Sequence, residues 1–287
     1  MIIAIASGKG GTGKTTAAVN LALSLDNAQL IDCDVEEPNA HLFLRPEIES
    51  SGKIYTPVPR VDHNKCTYCG NCSRVCEFGA AAVIPPSADG KGSGNVLIYD
   101  HLCHSCGACA VLCPQNAMYE ADHEIGSIDK GKRGGLLYAC GRLKIGEIAA
   151  PRLIRETKKC IDKSRTVIID APPGTSCPVI AAVSGSDYVL LAAEPTPFGV
   201  NDLHLTVMML RKMSLPCGVL INRAGENDGI IEDYCARAGV DVILKIPFSR
   251  KAAEIYSRGD TLVETDKNYR EIFKVLADKL TAAAGKK

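Results

Sequence analysis

Eight cysteines stand in two matched runs, Cys66-x2-Cys69-x2-Cys72-x3-Cys76 and Cys103-x2-Cys106-x2-Cys109-x3-Cys113. The second run lies 37 residues after the first and is followed by Pro114, whereas the first is followed by Glu77. No other feature limits this chain so strongly. Two-residue gaps wrap three thiols tightly around one place, and the longer gap carries the fourth thiol away towards a neighbouring place. The segment must therefore fold as two similar halves that exchange their fourth cysteine.

This is the spacing of bacterial ferredoxins, in which the fourth thiolate of each run ligates the other run's 4Fe–4S cluster. On that rule Cys66, Cys69, Cys72 and Cys113 form one ligand set, and Cys76, Cys103, Cys106 and Cys109 the other. Zinc is the competing occupant, since paired C-x2-C elements also make tetrahedral sites. Four cysteines in one short run, repeated and once followed by proline, favour two iron–sulfur clusters.

The 287 residues allow one large domain and a small one. Lys and Arg total 33 and Asp and Glu 33, so nothing in the charge supports a nucleic-acid groove or an anionic membrane surface. Aromatic residues are 5% and tryptophan is absent, which argues against base-stacking platforms. No apolar run approaches the ~18 residues of a membrane span, so no stable membrane insertion is expected. Met1–Ala6 is too short for a signal peptide and runs straight into a glycine loop. Fourteen cysteines without a leader point to a reducing cytoplasm.

Branched aliphatic runs predict strands at Ile2–Ala6, Gln29–Asp32, Thr166–Asp170, Tyr188–Ala193, Gly218–Asn222 and Val240–Ile246. Helical periodicity falls between them at Ala17–Leu25, Pro151–Lys163, Val200–Lys212, Ile230–Ala238, Lys251–Arg258 and Asn268–Ala284. Strand–helix alternation of this kind predicts an α/β fold, a mostly parallel sheet covered on both faces. The cysteine runs interrupt it. Pro57 and Pro59 lead in, the turn-rich stretch Pro85–Gly94 joins the halves, and Val96–Tyr99 reads as a strand. The expected domains are thus 1–53 with 122–287, and an inserted small α+β ferredoxin-like domain at 54–121.

Gly8-Lys9-Gly10-Gly11-Thr12-Gly13-Lys14-Thr15 fits the phosphate-loop pattern, set between a strand and a helix as that motif requires. Its glycines let backbone N–H groups converge on phosphates at a helix N-terminus. Lys14 is expected at the β/γ-phosphates, Thr15 on Mg2+ and Thr16 at the α-phosphate. The ligand is then ATP or ADP with Mg2+.

The second loop lysine, Lys9, identifies a narrower likeness. With it the chain resembles the MinD/ParA/Mrp group of deviant Walker A P-loop ATPases, to which the nitrogenase iron protein is related. The likeness is strongest to members carrying an inserted ferredoxin domain, and it runs along essentially the whole chain. The resemblance implies an ATP-dependent homodimer in which Lys9 contacts the partner's nucleotide. It also implies that Asp34, in Asp32-x-Asp34, orients the attacking water. Asp170, in Val167–Gly174, would hold Mg2+ through water, and Gly174 would sense the γ-phosphate. Asn222 and Arg223 would meet the adenine, with Pro247 and Phe248 lining it. As a plain sequence feature, Asn222 is equally a strand-end turn residue.

Six cysteines remain. Cys33, Cys160, Cys217 and Cys235 read as small buried hydrophobes. Cys177 lies seven residues after Asp170, as an interface ligand does in the nitrogenase iron protein, and Cys140-Gly141-Arg142 resembles that protein's other ligand segment with one residue missing. Together they raise the expectation of a third 4Fe–4S cluster bridging a dimer; the alternative is two buried thiols. Three functions compete. The first is ATPase-gated electron transfer through the ferredoxin clusters to a redox partner. The second is an iron–sulfur assembly or carrier ATPase serving an acceptor protein. The third is MinD/ParA-like spatial positioning.

Overall fold

Strands without a single exposed residue form the centre of the larger of two units. The computed structural model describes residues 1–87 and 93–284. Most of the turn-rich connector and the last tail residues, 285–287, lie outside the described residues. The chain divides into a first unit, Met1–Gly52, Ile128–Arg142 and Ala150–Lys287, and a second, Lys53–Ser127 with Leu143–Ala149.

The strands are β1 (Ile2–Ala6), β2 (Ala28–Asp32), β3 (Glu47–Val61), β4 (Ala81–Ile84), β5 (Asn95–Ile98), β6 (Met118–Arg133), β7 (Leu136–Leu143), β8 (Thr166–Asp170), β9 (Tyr188–Ala193), β10 (Cys217–Ala224) and β11 (Asp241–Pro247). One sheet has the order β11-β10-β9-β1-β8-β2-β7-β6-β3, and β4 with β5 forms a separate antiparallel pair. From β11 to β7 every adjacent pair is parallel. Strands buried on both faces are apolar throughout rather than alternating. β2 and β9 are buried at every position, and β1 and β8 at all but their first.

β1 lies centrally, with β8 on one side and β9 on the other. Connections leave its two flanks in opposite senses, and in such sheets the crevice beyond the carboxyl ends of the central strands is where ligands bind. The helix Lys14–Leu23 begins there and buries Ala17, Ala18, Val19, Leu21 and Ala22. The C-terminal helix Lys267–Ala284 closes the same core with Phe273, Leu276 and Leu280, each fully buried.

Four strands, β3, β4, β6 and β7, escape the sequence reading. β3 reads as a loop because Gly52, Pro57 and Pro59 interrupt it, yet it lies at the end of the sheet order, where proline is tolerated. β6 alternates weakly and is rich in charge. Only Gly134 and Gly135 join it to β7, and with Gly134 at φ 56° that forces an antiparallel turn. The second unit accordingly includes Lys53–Ser127 and Leu143–Ala149, more than the cysteine pattern alone outlines.

Within the second unit, two short helices, Asn71–Val75 and Ala108–Val111, flank the β4–β5 pair. Cys72, Val96 and Met118 centre a small core. The loop Leu143–Ala149 is tied in by a polar chain. Arg60 donates to both Asp100 oxygens (2.7 and 2.8 Å), His123 lies 3.5 Å from Asp100, and His123 Nε2 shares a 2.8 Å hydrogen bond with Glu147. No helix among the described residues is long and apolar enough to cross a membrane.

Phe273→Ala should remove about 3–5 kcal/mol of stability, the usual cost of emptying a fully buried phenylalanine site. A fall in the urea midpoint of the first unit, at unchanged slope, checks it.

Candidate functional site

Two sites emerge, one in each unit. The first is the loop after β1. Ser7 Oγ donates to the Lys9 carbonyl (2.6 Å), and Gly11 and Gly13 adopt φ 79° and 90°. Side chains other than glycine are strained there. Space is short as well, because a Cβ on Gly13 would lie 2.3 Å from Asn222 Nδ2, and one on Gly8 2.4 Å from the Asp202 carbonyl. Asn222 Nδ2, of the residue expected at the base, donates to the Thr12 carbonyl at 2.8 Å and so braces the loop.

Lys14 is buried at the helix start, with Thr15 and Thr16 next to it. Asp170, at the end of β8, is fully buried, and neither carboxylate oxygen has a hydrogen-bond partner. Burial pushes its pKa to about 6, opposed mainly by the Lys14 charge. Burial likewise raises Asp34 to about 6, against Lys14. An unsatisfied buried carboxylate facing a lysine and a threonine hydroxyl suits a hydrated divalent cation. Gly174 (φ 95°) donates its N–H to the Ser7 carbonyl at 2.9 Å, which pins the segment after β8 to the phosphate loop.

Asp32 and Asp170 are neighbours across β2 and β8. Asp32 receives the Asp34 and Ala40 backbone N–H groups, both at 3.1 Å, and so shapes the loop that presents Asp34. Its own pKa is raised, by burial first and then by Asp170. Beyond β10 and β11, Arg223 (φ 55°) and Pro247 stand close in register, and Phe248, 68% exposed, donates its N–H to the Ala224 carbonyl.

Glu194 escaped the sequence reading. Lys9 Nζ lies 3.7 Å from it and Arg223 pairs with it at 2.7 Å, so the signature lysine is held within its own chain. The available signal is a lone carboxylate following the wholly apolar run of β9.

The cysteines of the second unit sort into two groups. Cys66, Cys69, Cys72 and Cys113 line one hollow, and Cys76, Cys103, Cys106 and Cys109 line another. Among the described residues no three thiols, imidazoles or carboxylates converge on a point as they would around a single ion. The thiols ring hollows instead. Backbone N–H groups point at sulfur in matched pairs: Tyr68 to Cys66 and Ser105 to Cys103 (each 3.4 Å), Ala80 to Cys76 (3.2 Å) and Ala117 to Cys113 (3.3 Å). Burial raises the Cys72, Cys103 and Cys109 thiols, Cys109 to about 11. Burial acts on Cys113 too, but N–H groups of Ala117, Gln115, Met118 and Asn116 outweigh it and hold that thiol below its ordinary range.

The two cysteines expected to bridge a dimer stand apart in exposure. Cys177 is exposed at the start of the helix Cys177–Val183 and lines an open hollow with Arg155 and Lys158. Cys140 is fully buried in β7, its thiol contacts the Gly141 carbonyl, and burial pushes its pKa to about 12. A bridging ligand must reach the surface; in the single chain Cys177 does so and Cys140 does not. Cys33 and Cys235 are buried as expected, while Cys160 and Cys217 are only partly so.

Residues 3–263 match the CobQ/CobB/MinD/ParA nucleotide binding domain, and the chain belongs to that family of P-loop nucleotide-binding proteins. An uncharacterised protein of Methanocaldococcus jannaschii is 32% identical over 94% of this chain and 95% of its own length. A Pyrococcus abyssi protein named iron-sulfur cluster carrier protein is 26% identical over 99% of this chain and 88% of its own. Among solved structures, the septum site-determining protein MinD of Pyrococcus horikoshii, in complex with Mg-ADP, superposes with a TM-score of 0.61. It covers 99% of this chain and 97% of the MinD chain at 20% identity, which shows the fold.

Gly13→Ala should weaken Mg-nucleotide binding by about 10- to 100-fold, because it adds strain of order 1–3 kcal/mol and displaces Asn222. Calorimetric titration with Mg-ADP checks this, with circular dichroism showing that the fold persists.

Asp34 and Asp170 keep their protons to higher pH in the folded chain than when unfolded, where an aspartate titrates near 3.9. Between those values the native state holds the extra protons, so stability without nucleotide falls as pH rises from about 4 to about 6 and then levels. Mg-nucleotide binding runs the opposite way, declining below pH ~6 as Asp170 protonates. Denaturation and binding curves across that range test both signs.

Proposed function

We propose that this chain is an ATP-hydrolysing iron–sulfur carrier, whose second unit holds two 4Fe–4S clusters and whose first unit uses nucleotide to govern their delivery to an acceptor protein. The observation that carries the reading is the sorting of eight thiols into two four-thiol cages in one chain with a phosphate loop. Soft thiolates around a hollow, with N–H groups aimed at sulfur, suit an iron–sulfur group. Likeness along nearly the whole chain to three Pyrococcus proteins named iron-sulfur cluster carrier protein, at 25–26% identity, favours delivery as the use of those cages.

In this reading Lys14 and the N–H groups of Gly10–Lys14 hold the phosphates, Thr15 and Asp170 hold Mg2+, and Asp34 positions water. Asn222, Arg223, Pro247 and Phe248 receive the base. Bound Mg2+ draws charge from the β- and γ-phosphates. The Asp170 oxygens that lack protein partners are the place for it. A homodimer forms when Lys9 exchanges Glu194 for the partner's nucleotide, as the family resemblance implies. Hydrolysis removes the γ-phosphate contacts of Gly174 and of the Asp34 loop, and the closed state relaxes.

Electron transfer through the same cages is the second reading. The paired N–H donors on each cage favour it, since they would retain a resident group as well as a cargo. The MinD structures share the fold at about 20% identity and give the positioning reading no further support.

Mixing anaerobic holo-protein with an apo-ferredoxin and Mg-ATP separates the readings. Cluster absorbance appearing in the re-isolated acceptor is the expected result. Acceptor that stays apo while a holo-ferredoxin control becomes reduced would instead establish electron transfer. Lys14→Ala should abolish nucleotide binding and ATP-dependent delivery yet leave the iron content of the second unit intact. Loss of iron in that variant would sink the assignment of the cages to an independent unit.

A further inference from the structure

The two thiol cages are copies in which one charge differs. A shift of 37 residues carries each residue lining the first hollow onto one lining the second: Cys66 onto Cys103, Val83 onto Glu120, and, in the crossed sense, Cys113 onto Cys76 and Val96 onto Pro59. The backbone repeats with them. Left-handed residues occur at Tyr68 and Ser105 (φ 55° and 53°), Gly70 and Gly107 (80° and 73°), and Gly79 and Asn116 (64° and 49°). Each cage therefore has four thiols and two N–H···S contacts of nearly equal length.

Thiol number, hydrogen bonds to sulfur, net charge and solvent exposure set the potential of such a group. Thiol number is matched and so are two N–H···S contacts in each cage; the further N–H groups around Cys113 act in the same sense as the side-chain difference, which is one of charge. The first cage presents Val83 where the second presents Glu120. Glu120 Oε1 lies 3.5 Å from the point a Cβ on Gly107 would occupy, beside the peptide loop between Cys106 and Cys109. No lysine or arginine pairs with Glu120 among the described residues. The other polar changes carry no fixed charge: His104 for Thr67, Ser105 for Tyr68, Ala108 for Asn71 and Phe78 for Gln115, with the His104 ring stacked on Phe78 at a centroid distance of 3.7 Å.

We infer that Glu120 makes the two cages electrically unequal, so that the group held by Cys76, Cys103, Cys106 and Cys109 accepts an electron at lower potential than the group held by Cys66, Cys69, Cys72 and Cys113. The inference rests on the proposal that both cages hold 4Fe–4S clusters. Reduction adds one electron, hence one negative charge, to the caged group, and a carboxylate beside it opposes that charge. Glu120 is exposed, so the opposition is screened by water and salt and the gap is moderate. Electrons entering the second unit from a strong one-electron donor then collect at the first cage, which fixes the order in which the cages fill.

The test is a potentiometric titration of anaerobic holo-protein with dithionite and mediators, followed by electron paramagnetic resonance. Wild-type protein should show two reduction steps that draw together as salt is raised. Glu120→Gln should raise the lower step alone, and Val83→Glu should lower the upper step alone. A single step in wild type, an unmoved pair in Glu120→Gln, or movement of the upper step in that variant would overturn the inference. Iron and sulfide analysis separates this from failure of its foundation. Material with about eight of each per chain but equal potentials refutes only the asymmetry. Zinc-bearing, sulfide-free material removes the cluster reading, and the inference falls with it.

Discussion

Backbone N–H groups turned towards an anion are the constraint common to both units. An extended or helical chain spends its N–H groups on the next strand or turn, so several can face one centre only where the backbone passes through left-handed conformations. The first unit does this at Gly11 and Gly13, the second at Tyr68, Gly70 and Gly79 and again at Ser105, Gly107 and Asn116. In one case the N–H groups face the place for phosphate, in the other they face cysteine sulfur. The nearby packing is arranged around these turns: Asn222 and Asp202 close on the phosphate loop, and Val96 and Met118 fill the space behind the thiols.

Buried carboxylates give the nucleotide site its character. Asp32 and Asp170 sit side by side at the ends of β2 and β8, which raises the cost of charging both. Asp32 lowers that cost with two backbone N–H groups and in doing so fixes the loop bearing Asp34. Asp170 has no such relief, which leaves its oxygens free for a cation. Lys9, the residue that sets the family apart, rests against Glu194 in the same chain, so any role across an interface requires it to leave a present partner.

Much of the first unit was legible in its residues. β1, β8 and β9 match their apolar runs to the residue, because strands buried on both faces cannot hide their composition. The phosphate loop was equally plain, since glycine at positions 11 and 13 answers to a backbone need rather than to packing. Legibility failed where a local rule was outvoted. Pro57 and Pro59 lie in an edge strand, and β6 is a sixteen-residue strand rich in charge that alternates only weakly. Glu194 and Asp202 were missed because their partners, Lys9 and Gly8, stand far away in sequence. The burial of Cys140 was not legible either, because its neighbours resemble a ligand segment while β7 draws it into the interior.

The order of residues alone determined the chemistry available: soft thiols at fixed intervals, glycines where an anion needs bare backbone, and apolar runs that must become a covered parallel sheet. Those are local requirements, and a short segment states them completely. The tertiary structure decided which groups face one another. It brought Asn222 to the Thr12 carbonyl, set Glu194 against the loop lysine, withdrew Cys140 from the surface and placed Glu120 where the twin cage has Val83. Such pairings depend on how distant segments pack, and that information resides in no single stretch of chain.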